Sequence, residues 1–134
     1  MKALDIDSQP CLIHTAGTPK AVLIQLTARH ERKTIDSELS LIEQGSQMGF
    51  VFVGIDLQQW ALSLMPWADE AVARDPEVGR HAIDTLDYVT RQLLPYIYNR
   101  YGQLPCILGG YSVGGLFSLW AASECPLFDA VAAA

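Results

Sequence analysis

The chain turns on Leu108-Gly109-Gly110-Tyr111-Ser112-Val113-Gly114-Gly115-Leu116. Before it, Pro105-Cys106-Ile107-Leu108 is short and apolar, as a buried strand is. After it, Leu116-Phe117-Ser118-Leu119-Trp120-Ala121-Ala122 reads as a helix with few polar positions. Strand, tight glycine turn and helix form the setting in which Gly-x-Ser-x-Gly becomes a nucleophile elbow. Serine at the centre of such a turn takes a strained backbone conformation. Gly110 and Gly114 let strand and helix approach with no side chain between them. The Ser112 hydroxyl is thereby lifted above the strand end, and the first helical amides, that of Val113 foremost, point toward any oxyanion formed there. The alternative for the same residues is a glycine-rich turn in which Ser112 only caps the helix.

Working outward, Ala21-Val22-Leu23-Ile24-Gln25-Leu26 is nearly continuous in apolar residues, the mark of a strand covered on both faces. It predicts the first central strand. Thr27-Ala28-Arg29-His30-Glu31-Arg32-Lys33 follows as a charged loop. Over residues 34–44, Ile35, Leu39 and Ile42 recur at helical spacing, with Gly45 as a stop. Residues 50–56 supply the next buried strand, reached through that helix by a right-handed crossover. Residues 3–6 and 10–14 predict an edge hairpin around Asp7-Ser8-Gln9. Residues 57–78 are the least regular part. Residues 80–101 place Ile83, Leu86, Val89, Leu93 and Ile97 on one helical face, with a bend at Pro95 and a stop at Gly102. Pro126 ends the helix after the elbow, and residues 128–134 form a last strand-like run. Strands alternating with helices at this spacing predict an α/β fold with a mainly parallel sheet, in one domain over residues 1–134.

Composition narrows the function classes. Half of the 134 residues are hydrophobic, so the chain is globular rather than disordered. Nine Lys and Arg against 15 Asp and Glu give a net charge of −6, with no basic stripe, which argues against nucleic acid as a partner. No apolar run reaches membrane-spanning length and the first residues do not read as a signal peptide, so no membrane partner and a cytoplasmic location are expected. Cys11, Cys106 and Cys125 have neither disulfide nor metal-ligand spacing and are expected to be buried thiols. No metal or cofactor is expected, and the glycine turn lacks the Gly-Lys-Ser/Thr ending of a phosphate-binding loop.

On these residues the sequence resembles the α/β-hydrolase superfamily, and more closely its esterase D-like and enterochelin-esterase-like serine esterases. The resemblance rests on residues 107–121 around Gly110-Tyr111-Ser112-Val113-Gly114, on the run 128–134, and on Asp56 with Met65-Pro66-Trp67. It implies a three-layer sandwich with helices on both faces of the sheet. It also implies a Ser112 nucleophile attacking a small carboxylic ester, with water or an alcohol as acceptor. The implied oxyanion donors are the amides of Val113 and Ala28, with Thr27 and Arg29 as neighbours of the second, although the usual His-Gly is absent from that loop. Tyr111, His30 and Trp67 are the candidates for pocket walls. Trp60, Met65, Pro66 and Trp67 either wall an acyl pocket or pack their loop onto the sheet, and Arg29, Arg32 and Lys33 either attract an anionic ester or are simply solvated.

In that superfamily an Asp or Glu and then a His follow the serine. Here the 22 residues after Ser112 hold Glu124 and Asp129, both expected to be solvated, and no histidine. His14 and His81 read as ordinary surface or packing residues, and His30 is the one whose loop should border the elbow. The sequence is therefore expected to be truncated after the strand that follows the nucleophile helix, leaving an open edge through which copies could associate. A catalytically inactive module serving binding or assembly is the alternative.

Overall fold

Side-chain alternation along the central strands sets the layers. In β3 (Val22–Ala28), Val22, Ile24 and Leu26 are fully buried on one face, while Leu23 and Gln25 are half-buried on the other. The computed structural model describes residues 1–134 and sets β3 inside a six-stranded sheet. Its strands run in the order β1 (Lys2–Ile6), β2 (Gln9–Ala16), β4 (Phe50–Leu57), β3, β5 (Cys106–Gly110) and β6 (Ala130–Ala133). The last four are parallel, and β1 and β2 add an antiparallel ribbon beside β4.

Helices cover both faces. Helix α1 (Ile35–Gly45) packs Ile35 and Leu39 on Leu12, Phe50 and Phe52. The opposite face carries α2 (Trp60–Leu64), α3 (Ala82–Tyr88), α4 (Leu94–Tyr101) and α5 (Val113–Glu124). There Val22, Ile24, Leu26, Val51, Val53 and Ile55 meet Leu86, Val89, Leu93, Ile97, Phe117 and Ala121 in a core of 21 buried residues, against five on the α1 side. At about 1.5–3 kcal/mol for each fully buried large apolar side chain, the many-helix face holds most of the hydrophobic stabilisation. No helix is long and apolar enough to cross a membrane.

Several details depart from the sequence reading. Strand β3 runs on through Thr27 and Ala28, because the Thr27 hydroxyl, buried, donates to the Ile55 carbonyl at 2.9 Å and so satisfies a polar side chain inside the sheet. Residues 29–33 form a 3₁₀ turn rather than an open loop, and the irregular 57–78 segment contains α2. Asp7 and Ser8 alone make the hairpin turn, at φ 51° and 67°, so Gln9 already belongs to β2. Ile83 is 50% exposed; Ala82 takes the buried position next to it. Where Pro95 predicts a bend, a π-helical turn over Val89–Leu93 joins α3 to α4. Widening the turn just before proline is one way to accommodate its missing N–H and its ring.

The cysteines illustrate the packing. Cys11 and Cys106 are buried, while Cys125 is half-buried rather than fully enclosed. Burial, reinforced by nearby Asp129, pushes the Cys106 thiol up to about 12, and burial also raises Cys11. Iodoacetamide at pH 8 should therefore modify Cys125 first in the native protein and reach Cys11 and Cys106 only on unfolding. Mass spectrometry showing all three modified at one rate would contradict this packing.

Candidate active site

The turn between β5 and α5 holds its backbone in a constrained conformation. Ser112 sits at φ 57°, ψ −119°, a region comfortable only for glycine, and its side chain is exposed at the carboxyl end of the parallel strands. Its amide donates to the Ala134 carbonyl at 2.7 Å, and the Ala134 amide donates to the Gly110 carbonyl at 3.1 Å. The strand edge after β6 thus grips the turn on both sides of the serine. Within the turn, the Gly114 amide donates to Tyr111 and that of Leu116 to Ser112.

The flanking glycines are there because nothing else fits. A Cβ on Gly110 would lie 2.6 Å from the Gly114 carbonyl carbon, and one on Gly114 would lie 3.0 Å from the Trp60 ring. Trp60, from α2, therefore lies directly against the start of the elbow helix. Sequence reasoning grouped Trp60 with the loop aromatics. Its contact with Gly114 joins segments far apart in the chain, so local spacing carries no trace of it.

Strand pairing locates the second candidate amide. Leu26 of β3 pairs with Gly110, the last residue of β5, and Ala28 ends β3 two residues further along. The Ala28 amide is engaged: it donates to the Glu31 carboxylate at 2.6 Å. Glu31, half-buried, was not among the sequence candidates, although a glutamate three residues after the start of a helical turn is the spacing of a capping box.

Beside the turn, on the α1 face, an open groove of about 430 Å³ is lined by Gln25, Glu31, Thr34, Glu38, Tyr111 and Ala134, among others. Tyr111 is 63% exposed over it. Glu38 is held by Gln25 at 3.0 Å and by the Thr34 hydroxyl at 3.2 Å. Trp67, 51% exposed, does not line this groove, and Met65 is buried. His30 is exposed and makes no ion pair, and Arg32 faces Asp56 at 3.7 Å. His14 pairs with Glu43 across β2 and α1, and His81 bridges Glu77 and Asp84, so neither is drawn to Ser112. Glu124 ends α5 in solvent. Asp129 does more than sit in solvent: its carboxylate accepts from the Cys106 amide at 2.8 Å while its own amide donates to the Cys106 carbonyl, which aligns β6 with β5.

No protein-family model matches the sequence, and no curated protein matches it. Solved structures do. The chain is similar to an enterochelin esterase from Shigella flexneri, with TM-score 0.71 and 19% identity over 98% of this chain and 35% of that one. It is similar also to the siderophore hydrolase EstB from Aspergillus nidulans, with TM-score 0.63 and 18% identity over 98% and 54%. A zinc-bound cold-adapted esterase from an Arctic intertidal metagenomic library matches with TM-score 0.61 and 14% identity over 98% and 56%. This chain has the α/β-hydrolase fold. It spans about a third to just over half the length of these three structures.

Two measurements check the local chemistry. The backbone at Ser112 stores about 1–3 kcal/mol if it follows other residues held in such regions. Ser112→Gly should therefore be more stable than Ser112→Ala by about 1 kcal/mol in denaturant unfolding, net of the extra unfolded-chain entropy of glycine. Equal stability would mean an unstrained turn. For His81, the hydrogen bonds it donates to Glu77 and then to Asp84 raise the pKa above its ordinary value of 6.5. A raised folded-state pKa stabilises fully below the ordinary value and loses that contribution as pH rises through the raised one. His81→Ala should lower Tm slightly at pH 5.5 and leave it unchanged at pH 9.

Proposed function

We propose that this chain is the nucleophile-bearing part of a serine esterase acting on small carboxylic esters. The observation that carries the proposal is Ser112 at φ 57° and ψ −119° on a glycine-flanked strand-to-helix turn, exposed at the carboxyl ends of the parallel strands. That the fold is shared with esterases of enterochelin and of siderophores supports an ester substrate.

In this reading Ser112 Oγ forms a bond to the acyl carbon. The carbonyl π electrons move onto oxygen, where the Val113 and Ala28 amides receive the charge. Collapse breaks the ester C–O bond, and the alcohol leaves with the proton taken from the serine by a base. Water then cleaves the acyl-serine by the same steps in reverse order. Tyr111 forms one wall of the acyl site. None of the three histidines of this chain is hydrogen-bonded to Ser112, so base and acid come from beyond the residues described. Ser112→Ala should reduce hydrolysis of a p-nitrophenyl short-chain ester by about a thousandfold or more in the longest polypeptide that contains this chain. Unchanged turnover would refute the assignment.

A second reading, a non-catalytic α/β module, is favoured by one observation: the Ala28 amide is already satisfied by Glu31. Incubating the longest polypeptide that contains this chain with a fluorophosphonate separates the two. Covalent labelling mapped to Ser112 counts against the non-catalytic reading, because an unactivated serine does not react.

A further inference from the structure

We propose that the cleft between the edge ribbon of β1 and β2 and the last turns of α4 is a binding site for a small aromatic carboxylate, separate from the Ser112 site.

Strand alternation builds one wall. Along β1, Lys2 and Leu4 share the face of Ile6; along β2, Ile13 and Thr15 share the face of Cys11, and both Ile6 and Cys11 are buried in the larger core. Pairing of Lys2 with Ile13 sets the two rows side by side. Helix α4 supplies the facing wall, where Tyr96 and Arg100 stand one turn apart and Tyr101 follows. Between the walls is an open cavity of about 460 Å³, an ordinary size for a small-molecule site, with Leu4 and Ile13 as its apolar floor. Thr15 pairs with Val51, Val51 with Val22 and Val22 with Cys106, so the cleft lies toward the amino ends of the parallel strands. Ser112 stands beyond their carboxyl ends. The inference therefore does not rest on the esterase reading.

Charge sets this cleft apart from the rest of the surface. The chain carries 15 acidic residues against nine basic ones, yet no carboxylate lines the cavity, while Lys2 and Arg100 both do. Arg32, Arg80 and Arg91 each face a carboxylate; Lys2 and Arg100 form no ion pair. His14 borders the cavity with its ring engaged by Glu43. The Arg100 guanidinium carbon lies 5.9 Å from the centre of the Tyr101 ring, and the carbonyl end of α4 offsets its charge only in part. Folding thus gathers two cations, distant in the chain, around one cavity with no counterion. Like charges repel, and a bound anion reverses the sign of that interaction.

The neutral groups fit the same ligand. The hydroxyls of Thr15 and Tyr101 lie 3.2 Å apart, and whichever donates to the other, the acceptor keeps its own proton for a ligand oxygen. A carboxylate takes charge-assisted hydrogen bonds from Lys2 and from the planar fork of Arg100. Tyr96 and Tyr101 offer aromatic surface beside Leu4 and Ile13, which suits a ring on that carboxylate.

Benzoate is the probe, titrated into the ¹⁵N-labelled longest polypeptide that contains this chain and followed by ¹H–¹⁵N correlation spectra. The amides of Leu4, Thr15 and Tyr101 should shift and saturate together. Benzamide keeps the ring and loses the charge, and acetate keeps the charge and loses the ring. Each should need concentrations at least about tenfold higher. Lys2 and Arg100 are exposed, and Lys2→Gln and Arg100→Gln should each weaken benzoate about tenfold, with peak dispersion reporting that the fold is kept. If one variant does not fold, the other carries the test. Absence of a saturable shift at these amides, an equal response to benzamide or acetate, or unchanged benzoate affinity in a folded variant overturns the proposal.

Discussion

The approach of Gly110 to Gly114 leaves no room for a side chain: a single Cβ on Gly110 would have to sit 2.6 Å from a carbonyl carbon. Much else follows from it. Only Tyr111 and Ser112 separate the end of β5 from the start of α5, which holds the serine in its strained conformation. It sets α5 down on the helix-rich face, where Phe117 and Ala121 join the larger core. It also brings the start of α5 against Trp60, so that the short helix after β4 buttresses the turn.

The strain at Ser112 persists because the surroundings over-determine it. On one side the Ala134 strand edge bonds the amide of Ser112 and the carbonyl of Gly110; on the other, Trp60 and Leu26 contact Gly114. A turn merely rich in glycine would relax toward an ordinary capping geometry, and Ser112 makes no side-chain cap. The conformation therefore favours a serine held out for contact over one that serves the helix.

The parts of this structure written in local pattern were legible in the sequence. The apolar runs of β3, β4 and β5, the helical spacing of Ile35 and Leu39, and the elbow itself follow from periodicity and turn chemistry. The unread parts depend on partners distant in sequence. Thr27 extends β3 because the Ile55 carbonyl is there to receive its hydroxyl, and Asp129 is a strand clamp because Cys106 lies across from it. Ile83 misled because its spacing fits the buried face, yet α3 begins rotated so that Ala82 takes the inner place. Of the candidate site, the strand-to-helix turn at Ser112 was legible, while the hydrogen bond of the Ala28 amide to Glu31 emerged only in three dimensions. The spacing of the two is that of a capping box, which the charged run 27–33 conceals when read as an open loop.

The strand order carries a consequence for synthesis of the chain from its N-terminus. Strands β1 to β4 assemble from neighbouring segments, and β3 pairs with β4 across a single helix. The other side of β3 stays vacant until residues 106–110 emerge, well over half the chain later. Closing so long a loop is entropically slow relative to the local pairings that precede it. The nascent chain thus passes through a stage in which β3 is a bare apolar border, and the last event on that border is the arrival of the strand that carries the serine. The strained residue is consequently built late, and its turn is gripped only when Ala134, beyond β6, has followed it.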